Sequence, residues 1–170
     1  MPEDTSLYTD QFDVLAGTWP TGENELALVL SPSGAITDVM SYTMGLRDPD
    51  ELMKMVEQLK NQETVETPTD TLSFSYKEIM DVDFRVIAAH EFYVYDATYN
   101  VWTSKLEDTD FVEGLLEDAL KLKISCIVRR KEGVDSSTLS QGIYYLPSLT
   151  RRLMDEAADS KIVQKQLENP

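Results

Sequence analysis

Apolar and polar positions change period several times along this chain, and each change marks a predicted element. Glu25 to Leu30 ("ELALVL") is a strongly apolar run that predicts a strand. The stretch before it, "DVLAGTWPTGEN", reads as a turn leading into that strand. Gly17 can take a left-handed backbone, Pro20 bars a helix, and Thr21-Gly22-Glu23-Asn24 is a polar turn. Trp19 sits at the mouth of the strand, either covering an exposed edge of a core or stacking on a ligand. After the turn Ser31-Pro32-Ser33-Gly34, the residues Ile36, Val39, Met40 and Met44 recur at helical spacing, with Gly45 suited to closing the helix. "RDPDELMKMVEQLKNQ" predicts a second helix: Asp48 caps it, Pro49 takes the first position and Glu51 completes a capping box. Leu52, Met55, Val56 and Leu59 form one apolar stripe, expected to be a core face.

A polar linker ("NQETVETPTDT") is followed by alternating Leu72, Phe74 and Tyr76, which predict a half-buried strand. "FRVIAA", "EFYVYD" and "TYNVWTS" read as further strands, the last two pairing as a hairpin about a turn near Asp96-Ala97. "DTDFVEGLLEDAL" puts Val112, Leu115, Leu116 and Ala119 on one helical face, with Asp110 and Glu113 as a capping box. "LKLKISCIVRR" alternates at first and is then almost wholly apolar from Ile124 to Val128, the pattern of a central strand. Beyond a polar loop, Ser148 caps a helix carrying Leu149, Leu153, Met154 and Ala157, and Asp159 caps a last one carrying Ile162, Val163 and Leu167. This order predicts an α+β fold with a mixed, largely antiparallel sheet and helices packed on it. The 170 residues read as one domain, with 61–120 as a smaller lobe if there are two subdomains.

Charge changes the picture more than composition does. Fifteen Lys and Arg against 31 Asp and Glu leave a net charge of −16. Such a field repels nucleic acid and anionic lipid head groups, and favours solubility or a cationic partner. Lys121, Lys123, Arg129, Arg130 and Lys131 flank one strand, and Arg151 and Arg152 follow. In so acidic a chain they are expected to pair with carboxylates. No stretch reaches the length of a membrane span, and "MPEDTSLYTD" is unlike a signal peptide.

Candidate chemistry is sparse. Phosphate-binding glycine motifs and the nucleophile elbow are absent. Cys126 is the only cysteine and lies in the central strand, where a buried inert thiol is expected. His90 is the only histidine, in a loop between strands, and no residues show zinc-ligand spacing. Ser136, Ser137 and Ser140 lie in a loop that lacks an elbow. "DPDE", "DVD" and "EDTD" lack the glycine and terminal glutamate of a calcium loop. No catalytic residue, cofactor or metal is therefore assigned. Tyr93, Tyr95 and Trp102 on the hairpin, with Tyr144 and Tyr145, are the candidate partner contacts.

An ordered series of segments resembles a known family. "FDVLAGTWPTGENELALVLSPSGAITDVMSYTMGLRDPDEL", "YKEIMDVDFRVIAAHEFYVYD" and "LKLKISCIVRRKEGVDSSTLSQGIYYLPSLTRRLMDEAADSKIVQKQL" are similar to the extracytoplasmic domain of FtsX-like, MacB-type ABC transporter permeases of the Gram-positive type. The likeness runs from Gln11 to Asn169. It departs at Ser125-Cys126, where the family carries glycine, and at Arg130, where proline is common.

The resemblance implies a domain on the outer face of the cell membrane, set between transmembrane helices of the same chain and working as a homodimer. It implies an ATP-binding domain or subunit on the inner side. The function expected is export or extraction of a peptide, antibiotic or lipid-linked substrate, or mechanotransmission, with no enzymatic activity in this domain. Two other readings are a free or tethered extracellular peptide-binding module and a hydrolase using two carboxylates.

Overall fold

The computed structural model describes residues 1–65 and 73–168. The chain runs β1 (Phe12–Gly17), β2 (Glu25–Leu30), α1 (Asp38–Thr43), α2 (Pro49–Lys60), α3 (Tyr76–Met80), β3 (Asp83–Val86), β4 (Tyr93–Asp96), β5 (Val101–Ser104), α4 (Thr109–Asp118), β6 (Leu120–Arg130), β7 (Gly142–Tyr145), α5 (Pro147–Ala158) and α6 (Lys161–Glu168). The class is α+β, as the pattern predicts, with a mixed sheet of mostly antiparallel strands.

β6, at 11 residues, is the strand on which β1, β2 and β3 are registered. Its first half pairs antiparallel with β3 and its second half antiparallel with β1. β2 pairs parallel with β6, and β7 closes the sheet antiparallel to β2. Both faces of the β2–β6 pair are therefore covered, which is why these two strands are the most apolar runs in the chain.

A bulge at Ser125 sets the division between the two faces. Opposite β2, the register jumps from Leu26↔Ile124 to Ala27↔Cys126. Before the bulge Leu122 and Ile124 face one core; after it Ile127 faces that core while Cys126 and Val128 face the other. β2 keeps strict alternation: Leu26, Leu28 and Leu30 on one side, Ala27 and Val29 on the other. The first core is roofed by Met44 after α1, Ile79 of α3 and Leu149 of α5. The second is closed by Tyr8, Phe12 and Leu139, with Met1, Trp19 and Tyr144 at its edge.

The bulge also explains Gly17. The Ser125 carbonyl turns towards the end of β1 and accepts the Thr18 N–H at 2.9 Å. Gly17 has φ +70°, and a Cβ built on it would lie 2.0 Å from that oxygen. Only glycine fits, and the turn then swings Trp19 back over the second core. Its ring lies 4.9 Å from Tyr8 and 6.1 Å from Phe12. Trp19 is thus an anchor that covers the second core.

Several local expectations are corrected. β1 and β7 are strands that the pattern did not single out. Phe74 and Tyr76 are not in a strand; Ser75 and Glu78 form a capping box that starts α3, and Phe74 packs on the first core, while Leu72 lies outside the described residues. Only Tyr93–Asp96 of "EFYVYD" is extended, because Ala89–Phe92 makes a 3-10 turn. Glu51 closes no box: Asp48 caps Asp50, and Glu51 accepts the Tyr42 hydroxyl at 3.1 Å. Asp108, not Asp110, caps α4 through the Phe111 N–H. α5 starts at Pro147, with no side-chain cap from Ser148. Ser160, not Asp159, receives an N–H of α6, from Val163 at 3.5 Å. The α2 stripe is not a core face, since Val56 is 52% and Leu59 69% exposed.

The segment 61–120 contributes α3 and β3 to the main sheet and its core, whereas β4 and β5 pair only with each other. Asp96 holds the hairpin turn by accepting the Thr98 N–H at 2.8 Å. Among the described residues no helix is long and apolar enough to cross a membrane.

Candidate functional site

One concavity among the described residues is assembled from segments far apart in sequence. β7 runs directly into α5, whose rigid N-terminal Pro147 suits the first helical position. Leu149, Leu153 and Ala157 recur at i and i+4 and face inwards, with Met154 beside them. A short turn through Ser160 then starts α6, which turns Ile162 and Val163 to the same space. The opposing wall is Val86 to His90 and Tyr93, where the chain leaves β3. The Glu91 carboxylate accepts the Ala88 N–H at 3.0 Å and fixes that wall's turn.

The result is an open cleft of about 790 Å³, in the size range of small-molecule sites. Its lining is predominantly apolar, and Asp, Glu, Lys and Arg are all missing from it. Thr150, Gln166, His90 and the two tyrosines are its polar members. His90 Nδ1 is buried without a hydrogen-bond partner among the described residues. The hairpin and α6 meet beside the cleft, where the Lys165 ammonium stands 4.3 Å from the centre of the Tyr95 ring.

The five aromatic candidates separate into three environments. Tyr93 and Tyr145 line the cleft, each partly exposed. Tyr95 packs on Trp102 at 5.3 Å between centroids, and the Trp102 indole nitrogen is buried without a partner among the described residues. Tyr144 turns to the second core, and its hydroxyl accepts the Ser140 N–H at 3.0 Å. The structure therefore brings Tyr93 and Tyr145 together and gives the other three packing roles. The apolar positions of α5 and α6 were legible as helix faces but not as walls of a cleft, and Ile87 to His90 carried no signal for it.

A second concavity, about 470 Å³, lies at the far end of β6. Arg129, Arg130 and Lys131 surround it with Asp13, Glu132 and Asp135. The expectation that the cations pair with carboxylates holds for Lys123 with Glu25 (3.6 Å), Arg151 with Glu3, and Arg152 with Glu23 and Glu156 (2.6 and 2.7 Å). It fails for Arg130, which donates to the Asp135 backbone carbonyl at 3.1 Å. Lys121, Arg129 and Lys131 make no ion pair among the described residues.

Comparison of the chain with family models, curated proteins and solved structures gives no match.

Burial pushes the Cys126 thiol up to about 11, so it is a protonated packing group at neutral pH. Among the described residues no three His, Cys, Asp or Glu side chains gather as metal ligands. The geometry of the apolar cleft suits non-covalent capture of an apolar group.

Proposed function

We propose that this chain is the extracytoplasmic domain of an ABC transporter permease of the FtsX-like, MacB-type family. In this reading it moves with ATP hydrolysis in a separate nucleotide-binding domain or subunit, works as a homodimer, and passes that motion to a peptide, antibiotic, lipid-linked substrate or extracellular partner. One observation carries the reading. The segments that bear the resemblance, though more than a hundred residues apart at their extremes, pair with one another: β1 and β2 on β6, and β7 on β2. A likeness spread over segments that share one sheet is what a common fold would leave in sequence. The large departure, Ser125-Cys126, falls at the β6 bulge and disturbs no polar site.

The test is topological. Tyr99, 76% exposed in the hairpin turn, is replaced by cysteine in the intact gene product, and whole cells are treated with a membrane-impermeant maleimide. Labelling of Tyr99→Cys in unbroken cells is expected, with the buried Cys126 of the parent silent. The labelled protein should stay in carbonate-washed membranes with an ATP-hydrolysing partner. Labelling only after lysis overturns the reading. Labelled protein that washes free of the membrane favours the second reading, a free or tethered extracellular peptide-binding module.

A further inference from the structure

We propose that the cleft between α5, α6 and the Val86–Tyr93 wall is a binding site for a single aliphatic chain whose head group is neutral or cationic. Three features lead there. The first is the absence of fixed charge: 27% of the chain is Asp, Glu, Lys or Arg, yet none of these lines the cleft. A charged group drawn inside would lose hydration with nothing to balance it. The occupant's buried part is therefore uncharged.

The second feature is the scarcity of hydrogen-bonding groups. A peptide segment brings an N–H and a C=O at each residue, and each needs a partner once buried. The lining offers Tyr93, Tyr145, Thr150, Gln166 and His90, and the rest is aliphatic. An alkyl chain asks for no partners, and its gain on entry scales with the apolar area it covers. The third feature is the surrounding field. The protein carries −16, and although the Lys165 ammonium stands beside the cleft on the Tyr95 ring, the summed field favours a neutral or positive head group at the mouth over a negative one. Charge complementarity thus separates this ligand from a fatty acid or an anionic phospholipid.

The inference rests on the cleft alone and goes beyond the transporter reading, so cell-surface labelling and ligand binding can fail separately. The experiment titrates the purified 170-residue chain with octylamine, decylamine and dodecylamine, with decanol and with decanoate, all below micelle formation. Calorimetry gives affinity. The only histidine gives one set of imidazole NMR signals, which report from the cleft wall.

Saturable one-to-one binding that shifts the His90 signals is expected. Affinity should rise roughly tenfold for every two methylenes, as about 0.8 kcal/mol per buried methylene requires. Decanol should bind, and decanoate at least tenfold more weakly than decylamine. Ala157→Phe, which fills the cleft, should lose binding at least tenfold. Met154→Lys, at a position 64% exposed and tolerant of charge, should also weaken every amine, and it keeps the test open if the first variant does not fold.

Several results overturn the proposal. They are no binding to the parent chain, affinity independent of chain length, decanoate binding as tightly as decylamine, or both variants binding like the parent. A concentration-dependent dimer that shifts the His90 signals without ligand would assign the cleft to a second copy and overturn it as well.

Discussion

Of the seven glycines, Gly17 would bring an added Cβ nearest to another atom, where β1 approaches the β6 bulge, and Gly17→Ala tests that constraint. Two costs combine. Alanine at φ +70° pays for a left-handed backbone, roughly 1–2 kcal/mol. Its methyl would also sit 2.0 Å from the Ser125 carbonyl oxygen, where real Cβ atoms stay beyond 3.0 Å, so one backbone must retreat by about 1 Å. That retreat breaks the Thr18 N–H bond to the same oxygen and strands a polar group, at about 1–3 kcal/mol. The sum is about 2–5 kcal/mol, a large share of the ~5–15 kcal/mol that holds an ordinary domain.

Urea unfolding followed by circular dichroism measures the loss. With a slope of about 2 kcal/mol/M the midpoint should fall by about 1–2.5 M, the slope itself staying constant. Gly34→Ala is the control, because Gly34 also has positive φ, +82°, but nothing lies within 4 Å of its Cβ position. It should lose only the backbone term, roughly 1–2 kcal/mol. Equal losses in the two variants would refute the steric account of the bulge.

Three further outcomes follow from buried or held groups. Tyr8 is 0% exposed and its hydroxyl lacks a partner among the described residues, so Tyr8→Phe should raise the melting temperature by about 2–4 °C, worth about 1 kcal/mol; a loss of that size would mean the hydroxyl has a partner. Cys126 should resist a thiol reagent at pH 8 until the chain is unfolded. Its folded pKa, raised from 9.0 to about 11, means the unfolded chain gives up the proton first. The corresponding stability is fully present below pH 9 and is lost as pH rises towards 11, and Cys126→Ala should flatten that alkaline decline. Glu25 holds the Thr21–Asn24 turn by accepting the Thr21 and Gly22 N–H groups at 2.9 and 3.1 Å, which keeps its carboxyl below the ordinary range. That contribution is present above the usual glutamate pKa and fades as pH falls through the lowered value. Glu25→Gln should therefore cost about 1 kcal/mol at pH 7 and little in acid, as read from melting temperature against pH.

What could be read in the sequence was whatever depends on near neighbours in the chain. β2 and β6 followed from their apolar runs, the hairpin from strand-like stretches about a turn, and α1 and α2 from helical spacing with their terminal Gly45 and Pro49. Errors arose where one residue could serve two partners. Glu51 suits a capping box by spacing, but the Tyr42 hydroxyl takes it. Leu72, Phe74 and Tyr76 alternate like a strand, yet Ser75 and Glu78 supply two reciprocal hydrogen bonds that a short strand there could not match. β1 was obscured by its bulge near Leu15, which interrupts the alternation. The cleft was the least legible feature, because no local pattern tells an apolar helix face that meets a sheet from one that meets empty space.

That distinction is made by tertiary geometry, and along α5 it can be followed residue by residue. Leu149 is buried in the first core, Leu153 is half-buried against it, and Met154 is 64% exposed. Core contact thus fades within two turns of helix while the apolar periodicity continues into Ala157 and on to Ile162 and Val163 of α6. If burial in the core were the only use for these side chains, polar residues could replace Met154 without loss, since an exposed methionine gains little from packing. An aliphatic wall carried beyond its core instead lowers solubility, a cost that a net charge of −16 offsets through mutual repulsion. The combination of an uncharged wall and a heavily charged exterior fits a domain that keeps an apolar surface open to a ligand while staying dispersed in water.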